Sequence, residues 1–121
     1  MKITSFYPMI ITKDQGEFKD LFEELGFAKK HEKDDVEGVN TLVMADSNDF
    51  RLDITQTDAV KQEKVIIRVN VDNLDEAHDL FAKHNFKDVS KMINTKSAKS
   101  IGMSSPSGIL VALIQHIKDH D

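Results

Sequence analysis

The chain contains one sequence pattern twice, at a constant offset of 59 residues. The segments Gly38–Gln56 and Ser97–Gln115 align at this offset without a gap, and apolar residues match apolar residues along both. Self-similarity at a fixed offset is typical of a repeated supersecondary unit. A chain of 121 residues has the length of one ordinary domain. The repeat therefore restricts the fold to two similar halves within one domain.

Each copy contains one amphipathic helix with an apolar stripe at helical spacing. Asp14 is the predicted cap of the first helix, with Glu17 as its capping-box partner, and Asp72 or Asn73 is the predicted cap of the second. The stripe residues are Phe18, Leu21, Phe22 and Leu25 in the first copy, and Leu74, Ala77, Leu80 and Phe81 in the second.

Both helices end with the same device. Gly26 closes the first helix and Asn85 closes the second, at positions where a left-handed backbone ends a helix. A phenylalanine follows each of them, Phe27 and Phe86, and is expected to return the chain to the core.

One strand precedes each helix, and a short charged strand and a hairpin follow it. We predict an α+β fold of two β-α-β-β-β modules with mixed, antiparallel-rich sheets, in one domain over residues 1–121. The modules span 1–57 and 63–117, joined by Thr57–Gln62. The predicted strands are Lys2–Lys13, Lys29–Lys33, Thr41–Ala45 and Phe50–Gln56, then Lys64–Asp72, Lys87–Lys91, Ser100–Ser104 and Ile109–Ile117.

Alternation along the strands separates a face under the helix from an open face. Predicted to lie under the helices are Phe50, Leu52, Ile54, Val65, Ile67, Val69, Val71, Ile109, Val111 and Leu113. Predicted on the open face are Tyr7, Met9, Ile11, Arg51, Asp53, Thr55, Ile66, Arg68, Asn70, Leu110, Ala112, Ile114 and His116. A wet sheet face explains the polar members. A concave, partly dry cleft explains the whole mixture better, because ligand pockets are mostly apolar with few polar groups.

Composition excludes several classes of function. The chain has no cysteine, which removes disulfides, thiolate metal sites and a cysteine nucleophile. Its net charge is −5 and it has no basic cluster, so nucleic-acid binding is not expected. No segment has the ~20 apolar residues of a membrane span, and the first residues lack a signal-peptide pattern. We therefore expect a cytoplasmic protein.

Three segments resemble the vicinal oxygen chelate superfamily, which includes glyoxalase I, the bleomycin-resistance proteins and the extradiol dioxygenases. They are Met9–Asp14 before the first helix, Leu21–Phe27, and Ser105–Gln115. The last resembles the family's D-P-D-G-hydrophobic strand, with Ser105 and Ser107 in place of the aspartates. The resemblance implies sheets curved into a cup, with the helices outside, and a homodimer that completes the cup.

The family's enzymes hold a divalent metal with one residue from the first and last strand of each module. By position these residues are Tyr7, Asp53, Ile66 and Ala112. Only Asp53 is an ordinary ligand, whereas a catalytic metal site needs about three. The histidines offer no substitute. His78 and His84 are six residues apart and not at helical ligand spacing, His31 lies in a charged segment, and His116 and His120 belong to the polar C-terminal end. We therefore expect no metal and no cofactor.

A polar set on the open faces remains as the candidate ligand site. Its members are Tyr7, Arg51, Asp53, Thr55, Arg68, Asn70 and His116. Arg68 is the strongest candidate for contact with a ligand, because a guanidinium binds a carboxylate or phosphate bidentately. The alternative is that Arg68 or Arg51 only neutralises Asp53.

The resemblance leaves three functions open. The first is a metal-independent binder of an unknown small molecule, comparable to the bleomycin-binding members. The second is a divergent isomerase, lyase or dioxygenase relative with Asp53 as base and Arg68 holding an anion. The third is an interaction module without ligand. The binder is the preferred reading, because losing the metal removes the Lewis acid of the family's enzymes.

Overall fold

A computed structural model of the chain describes residues 1–117, apart from the side chains of residues 35 and 36. The first copy consists of β1 Ile3–Thr12, α1 Gln15–Glu24, β2 Ala28–Val36, β3 Val39–Ala45 and β4 Arg51–Thr57. The second consists of β5 Lys64–Val71, α2 Leu74–Lys83, β6 Lys87–Asp88, β7 Ile93–Asn94, β8 Ala98–Ser104 and β9 Leu110–His116. The predicted α+β fold of two β-α-β-β-β modules is confirmed, with β7 as an unpredicted short strand.

The chain divides into two compact units. The N-terminal unit is Tyr7–Val65, and the C-terminal unit combines Met1–Phe6 with the chain from Ile66 onward. The first residues lie with the second copy because the Asp72 N–H donates to the Lys2 carbonyl at 3.1 Å and the Lys2 N–H donates to the Asp72 carboxylate at 2.7 Å. The predicted module boundaries at 57 and 63 stay a prediction.

In the N-terminal unit the strand order is β2-β3-β4-β1. β1 and β4 are parallel, whereas β3 is antiparallel to β2 and to β4. One face is covered by α1, whose Phe18 and Phe22 pack on a buried cluster together with Phe27. This cluster consists of Ile10, Leu42, Met44, Leu52 and Ile54.

The C-terminal unit repeats this arrangement with the order β5-β9-β8-β6, and β7 also pairs with β8. β5 and β9 are parallel, and β8 is antiparallel to β6, β7 and β9. Helix α2 covers one face with Phe81, and Phe86 packs beside it. The buried cluster consists of Val69, Val71, Leu74, Ala77, Ile101, Met103, Val111 and Leu113.

The predicted helix ends are confirmed. Gly26 has φ +103° and Asn85 has φ +70°, so both adopt the left-handed conformation in which glycine and asparagine are the least strained residues. Each is followed by a phenylalanine that packs edge-on against the helix, Phe27 on Phe22 at 5.4 Å and Phe86 on Phe81 at 5.0 Å between ring centroids.

The helix starts are also duplicated. Asp14 caps α1 by accepting from the Gly16 N–H, and Asn73 caps α2 by accepting from the Glu76 N–H. The Asp14 N–H donates to the Thr12 hydroxyl at 3.2 Å, so Thr12 replaces the predicted capping-box partner Glu17.

A glutamine from the last strand of each copy satisfies the first helical N–H. The Gln56 side-chain oxygen accepts from the Gln15 N–H at 2.9 Å, and that of Gln115 accepts from the Leu74 N–H at 2.7 Å. Free N–H groups at a helix start need such partners. The repeat of Gln56 as Gln115 thus has a structural cause.

Three residues predicted to lie under the helices are exposed: Phe50, Val65 and Ile109. Phe50 and Ile109 precede the first residues of β4 and β9, and Val65 is near the start of β5. Alternation assigns a side chain to a face, but the ten-residue helices do not cover the whole length of that face. Leu21, Leu25 and Leu80 are also largely exposed, so part of each predicted helical stripe lies outside the core.

Within residues 1–117, neither helix is long and apolar enough to span a membrane.

Candidate functional site

Three predicted site residues form one group in the N-terminal unit, here called the Arg51 cluster: Tyr7, Arg51 and Asp53. The Arg51 Nε–H donates to Asp53 Oδ1 at 3.3 Å. The Arg51 guanidinium carbon lies 4.0 Å from the centroid of the Tyr7 ring, within the range of a cation–π interaction. Asp53 is fully buried and the Arg51 side chain is 28% exposed. The sequence left open whether Arg51 or Arg68 pairs with Asp53, and in the structure Arg51 forms this ion pair.

Strand register builds this cluster. Met9 on β1 pairs with Asp53 on β4, so Tyr7, Met9 and Asp53 share the face opposite α1. The predicted orientation of the first strand is therefore confirmed. On β3, Val43 lies opposite Asp53.

Thr55 lies two residues after Asp53 on β4 and therefore on the same face. It pairs with Thr41 on β3, and the two hydroxyl oxygens lie 2.8 Å apart. Both threonines are buried. The hydroxyl pair extends the polar surface beyond the Arg51 cluster, and Thr41 is a member that sequence reasoning missed. The sequence contained one signal for Thr41, because the predicted hairpin places it on the strand opposite Thr55.

The remaining predicted site residues form a second group in the C-terminal unit, here called the Asn70 network: Arg68, Asn70 and His116. The Arg68 Nε–H donates to Asn70 Oδ1 at 3.2 Å, and Asn70 Nδ2 lies 3.3 Å from His116 Nε2. A guanidinium only donates, so Asn70 Oδ1 is the acceptor and Asn70 Nδ2 is the donor toward His116. The His116 Nε2 atom therefore accepts, which requires its proton on Nδ1.

The open faces are not wet. Of the six buried polar or charged residues in residues 1–117, all but Thr12 lie on the face opposite the helix of their unit. These are Thr41, Asp53, Thr55, Arg68 and Asn70. Tyr7, Ile66 and Ile114 are buried on the same faces, whereas His116 is exposed. The alternative of a solvated sheet face is wrong.

The residues present do not fit the metal site that the family resemblance implies. Among the described side chains of residues 1–117, which do not include those of residues 35 and 36, no group of three His, Cys, Asp or Glu is arranged to hold a metal ion. Of the histidines, His78 contacts Asp88 at 2.7 Å and His116 contacts Asn70, while His120 lies outside the described residues.

A shallow cavity of about 400 Å³ lies elsewhere on the N-terminal unit and was not predicted. It is lined by Asp34, Glu37, Gly38, Val39, Asn40, Gln56, Thr57 and Asp58. Its three carboxylates disfavour an anionic ligand. None of the seven predicted site residues lines it.

The sequence matches no protein-family model and no curated protein. Solved structures, in contrast, are similar over nearly the whole chain. Methylmalonyl-CoA epimerase from Mycobacterium tuberculosis has a TM-score of 0.72 at 12% identity, covering 96% of this chain and 90% of the other. The Streptomyces coelicolor methylmalonyl-CoA epimerase in complex with 2-nitronate-propionyl-CoA has a TM-score of 0.69 at 15% identity, covering 97% and 100%.

A glyoxalase/bleomycin resistance protein/dioxygenase superfamily member from Vibrio splendidus 12B01 has a TM-score of 0.65 at 16% identity, covering 96% of this chain and 100% of the other. At these identities the similarity concerns the fold and not the activity. The chain has the vicinal oxygen chelate fold, as the sequence motifs predicted.

Proposed function

We propose that this protein binds a small molecule on its polar open faces and that it does so without a metal. The observation that carries this proposal is the burial of charged and amide groups there, with Asp53, Arg68 and Asn70 all nearly inaccessible. Burying such groups is unfavourable unless they are paired, and a domain that needed only stability would place apolar residues there. Ligand pockets are mostly apolar with a few positioned polar groups, and the partly exposed Arg51 is the charged member that a ligand can reach.

The proposed ligand-binding groups are the residues predicted from the sequence, taken unit by unit: Tyr7, Arg51, Asp53 and Thr55 in the N-terminal unit, and Arg68, Asn70 and His116 in the C-terminal unit. The proposal extends to a homodimer in the cytoplasm, in which a second copy completes a cup around the ligand. It is supported by the family resemblance and by the large exposed side chains Phe6, Phe50 and Ile109, since exposed apolar surface is often covered by association.

Native mass spectrometry of untagged protein, purified without chelator, tests this proposal. We expect a dimer that contains no metal. A thermal-shift screen of small organic acids, amines and sugars then tests for binding, because a ligand at about ten times its Kd raises the free energy of unfolding measurably. One metal ion per subunit, or no stabilisation by any compound, would contradict the proposal.

An enzyme is the second candidate, favoured by the similarity to two methylmalonyl-CoA epimerases. In this reading Asp53 is the base. The complete burial of Asp53 and its contact with Arg51 disfavour a role in proton abstraction, since a base must reach its proton. The test is proton exchange of methylmalonyl-CoA in D₂O with chelator present. Exchange that is lost in Asp53→Asn would establish the enzyme, and no exchange would exclude it for this substrate.

A further inference from the structure

The Arg51 side chain is fixed along one edge and has unused donors along the other. Its Nε–H contacts Asp53, and the Tyr7 ring lies against the guanidinium plane. Among the described side chains and backbone of residues 1–117, no hydrogen bond involves either terminal nitrogen of Arg51. A guanidinium has five N–H groups, so four of them are available.

We propose that the terminal nitrogens of Arg51 bind the carboxylate of a small organic acid. This inference rests on the proposed function and names the class of ligand. Two parallel N–H groups of a guanidinium match the two oxygens of a carboxylate, which gives a bidentate, charge-assisted pair. Because Asp53 and Tyr7 already hold the guanidinium, little conformational freedom is lost when the ligand binds.

Partial exposure distinguishes Arg51 from Arg68, the only other arginine of the chain. The Arg51 side chain is 28% exposed, so an incoming ligand can reach it. Arg68 is 9% exposed, its Nε–H is used by Asn70, and it has a further interaction. The anion-binding role that the sequence suggested for Arg68 therefore belongs to Arg51.

The charge balance at Arg51 favours a monoanion. Asp53 lies beside Arg51 and offsets part of its positive charge. A dianionic phosphate doubles both the attraction to Arg51 and the repulsion from Asp53, whereas its desolvation cost rises with the square of its charge.

The net charge of the chain is −5, which slows the approach of any anion. At 0.1 M salt the Debye length is about 10 Å, so distant carboxylates are largely screened while the contact with Arg51 persists. We therefore expect weak binding of simple carboxylates, in the millimolar range, with a rate of association that rises with salt.

Two features of the composition make the test specific. The chain contains one tyrosine, Tyr7, and no tryptophan, so its intrinsic fluorescence reports on the Arg51 cluster. It contains two arginines, so the side-chain Nε–H region of an NMR spectrum has two signals, which Arg51→Lys and Arg68→Lys assign.

The experiment titrates the wild-type protein with acetate, propanoate and butanoate, and with their amides and inorganic phosphate as controls. We expect the carboxylates to shift the Arg51 Nε–H signal and the Tyr7 fluorescence with saturation, and to do so at least tenfold more tightly than the amides or phosphate. Arg51→Lys is expected to weaken binding at least tenfold, because lysine keeps the charge but loses the fork. Lys61→Gln, at an exposed position outside the Arg51 cluster and the Asn70 network, is the control and is expected to change it less than threefold.

The outcomes separate the inference from the proposed function. Compounds of the thermal-shift screen that bind equally well to Arg51→Lys would overturn the carboxylate inference and leave the binding function intact. The absence of binding by every compound of the screen would contradict the proposed function itself. If Arg51→Lys does not fold, the wild-type spectrum still decides, because a shift confined to the Arg68 signal would overturn the inference.

Discussion

The two units share a scaffold but not a polar site. Helix caps, left-handed helix ends, edge-on phenylalanine pairs and glutamines at the helix starts occur in both. At the same offset of 59 residues, however, Asp53 matches Ala112 and Arg51 matches Leu110. Conversely, Arg68 and Asn70 match Met9 and Ile11, both on β1.

This difference separates structural from functional candidates within a single chain. A residue kept in both copies is explained by the stability of the repeated unit. A buried charge present in only one copy is not needed by that unit, because the other copy folds with an apolar residue in its place. The Arg51 cluster and the Asn70 network therefore remain as the candidates for function.

The largest expected effects test whether the two cores are equivalent. Met44 and Met103 occupy matching positions and are both fully buried. Met44→Ala and Met103→Ala should each reduce the free energy of unfolding by about 2–5 kcal/mol, because each leaves a cavity. Urea denaturation measures this. Met92→Ala, at an exposed methionine, is the control and should change stability by less than about 0.5 kcal/mol. If only one of the two substitutions reduced the free energy of unfolding strongly, the two cores would not be equivalent.

The next effect concerns the charge that only one copy contains. Asp53→Asn removes the carboxylate that accepts from Arg51, and should lower the free energy of unfolding by about 1–3 kcal/mol. Asp58→Asn removes the same charge from an exposed position nearby and should have little effect. Thermal denaturation at neutral pH compares the two. A more stable Asp53→Asn would show that the carboxylate is poorly compensated in the folded state.

The duplicated glutamines should have smaller, matching effects. Gln56→Ala and Gln115→Ala each remove the acceptor of a helix-start N–H, at a loss of about 1 kcal/mol apiece. Gln62→Ala, on the exposed linker, is the control. Hydrogen exchange of the Gln15 and Leu74 amides should accelerate only in the respective variant. If either variant accelerated exchange equally at both amides, the two glutamines would not act independently on their own helices.

The smallest effect concerns a contact without a counterpart in the second copy, where β6 has only two residues. The Asn40 side-chain amide donates to Glu32 at 2.8 Å, and with Lys29 it lowers the pKa of Glu32 below its ordinary value. The unfolded chain therefore binds this proton more tightly. The stabilisation from Glu32 is present above the unfolded pKa and is lost as the pH falls through the folded pKa.

Asn40→Ala should raise the pKa of Glu32 toward its ordinary value. Lys29→Gln should also raise it, because Lys29 lowers this pKa through its hydrogen bond and through its charge. Carboxyl ¹³C NMR during a pH titration measures both. An unchanged pKa of Glu32 in Asn40→Ala would contradict this assignment, because the hydrogen bond from Asn40 is the first cause of the shift.

Local patterns predicted the scaffold because they act over a few residues. Gly26 and Asn85 ended their helices as expected, since the left-handed conformation is a property of single residues. The faces of β1 and β4 were also correct. Phe50, Val65 and Ile109 were wrong, because how far a helix covers a strand depends on packing and not on alternation.

The seven candidate site residues were predicted from their face alone, and the structure groups them by unit. Their partners were not predictable. From the sequence, Arg51 and Arg68 were equally good candidates for the ion pair with Asp53. The contact of Arg51 with Tyr7 joins residues that are 44 positions apart. No periodicity extends over such a distance.

The sequence by itself determined that this chain is a duplicated β-α-β-β-β protein with helices on one face of each sheet, because period and capping act locally. Only the tertiary structure decided that the opposite faces are buried and that Arg51, fixed by Asp53 and Tyr7, retains unused donors. The physical reason is that burial and pairing depend on strand register, which brings distant segments together.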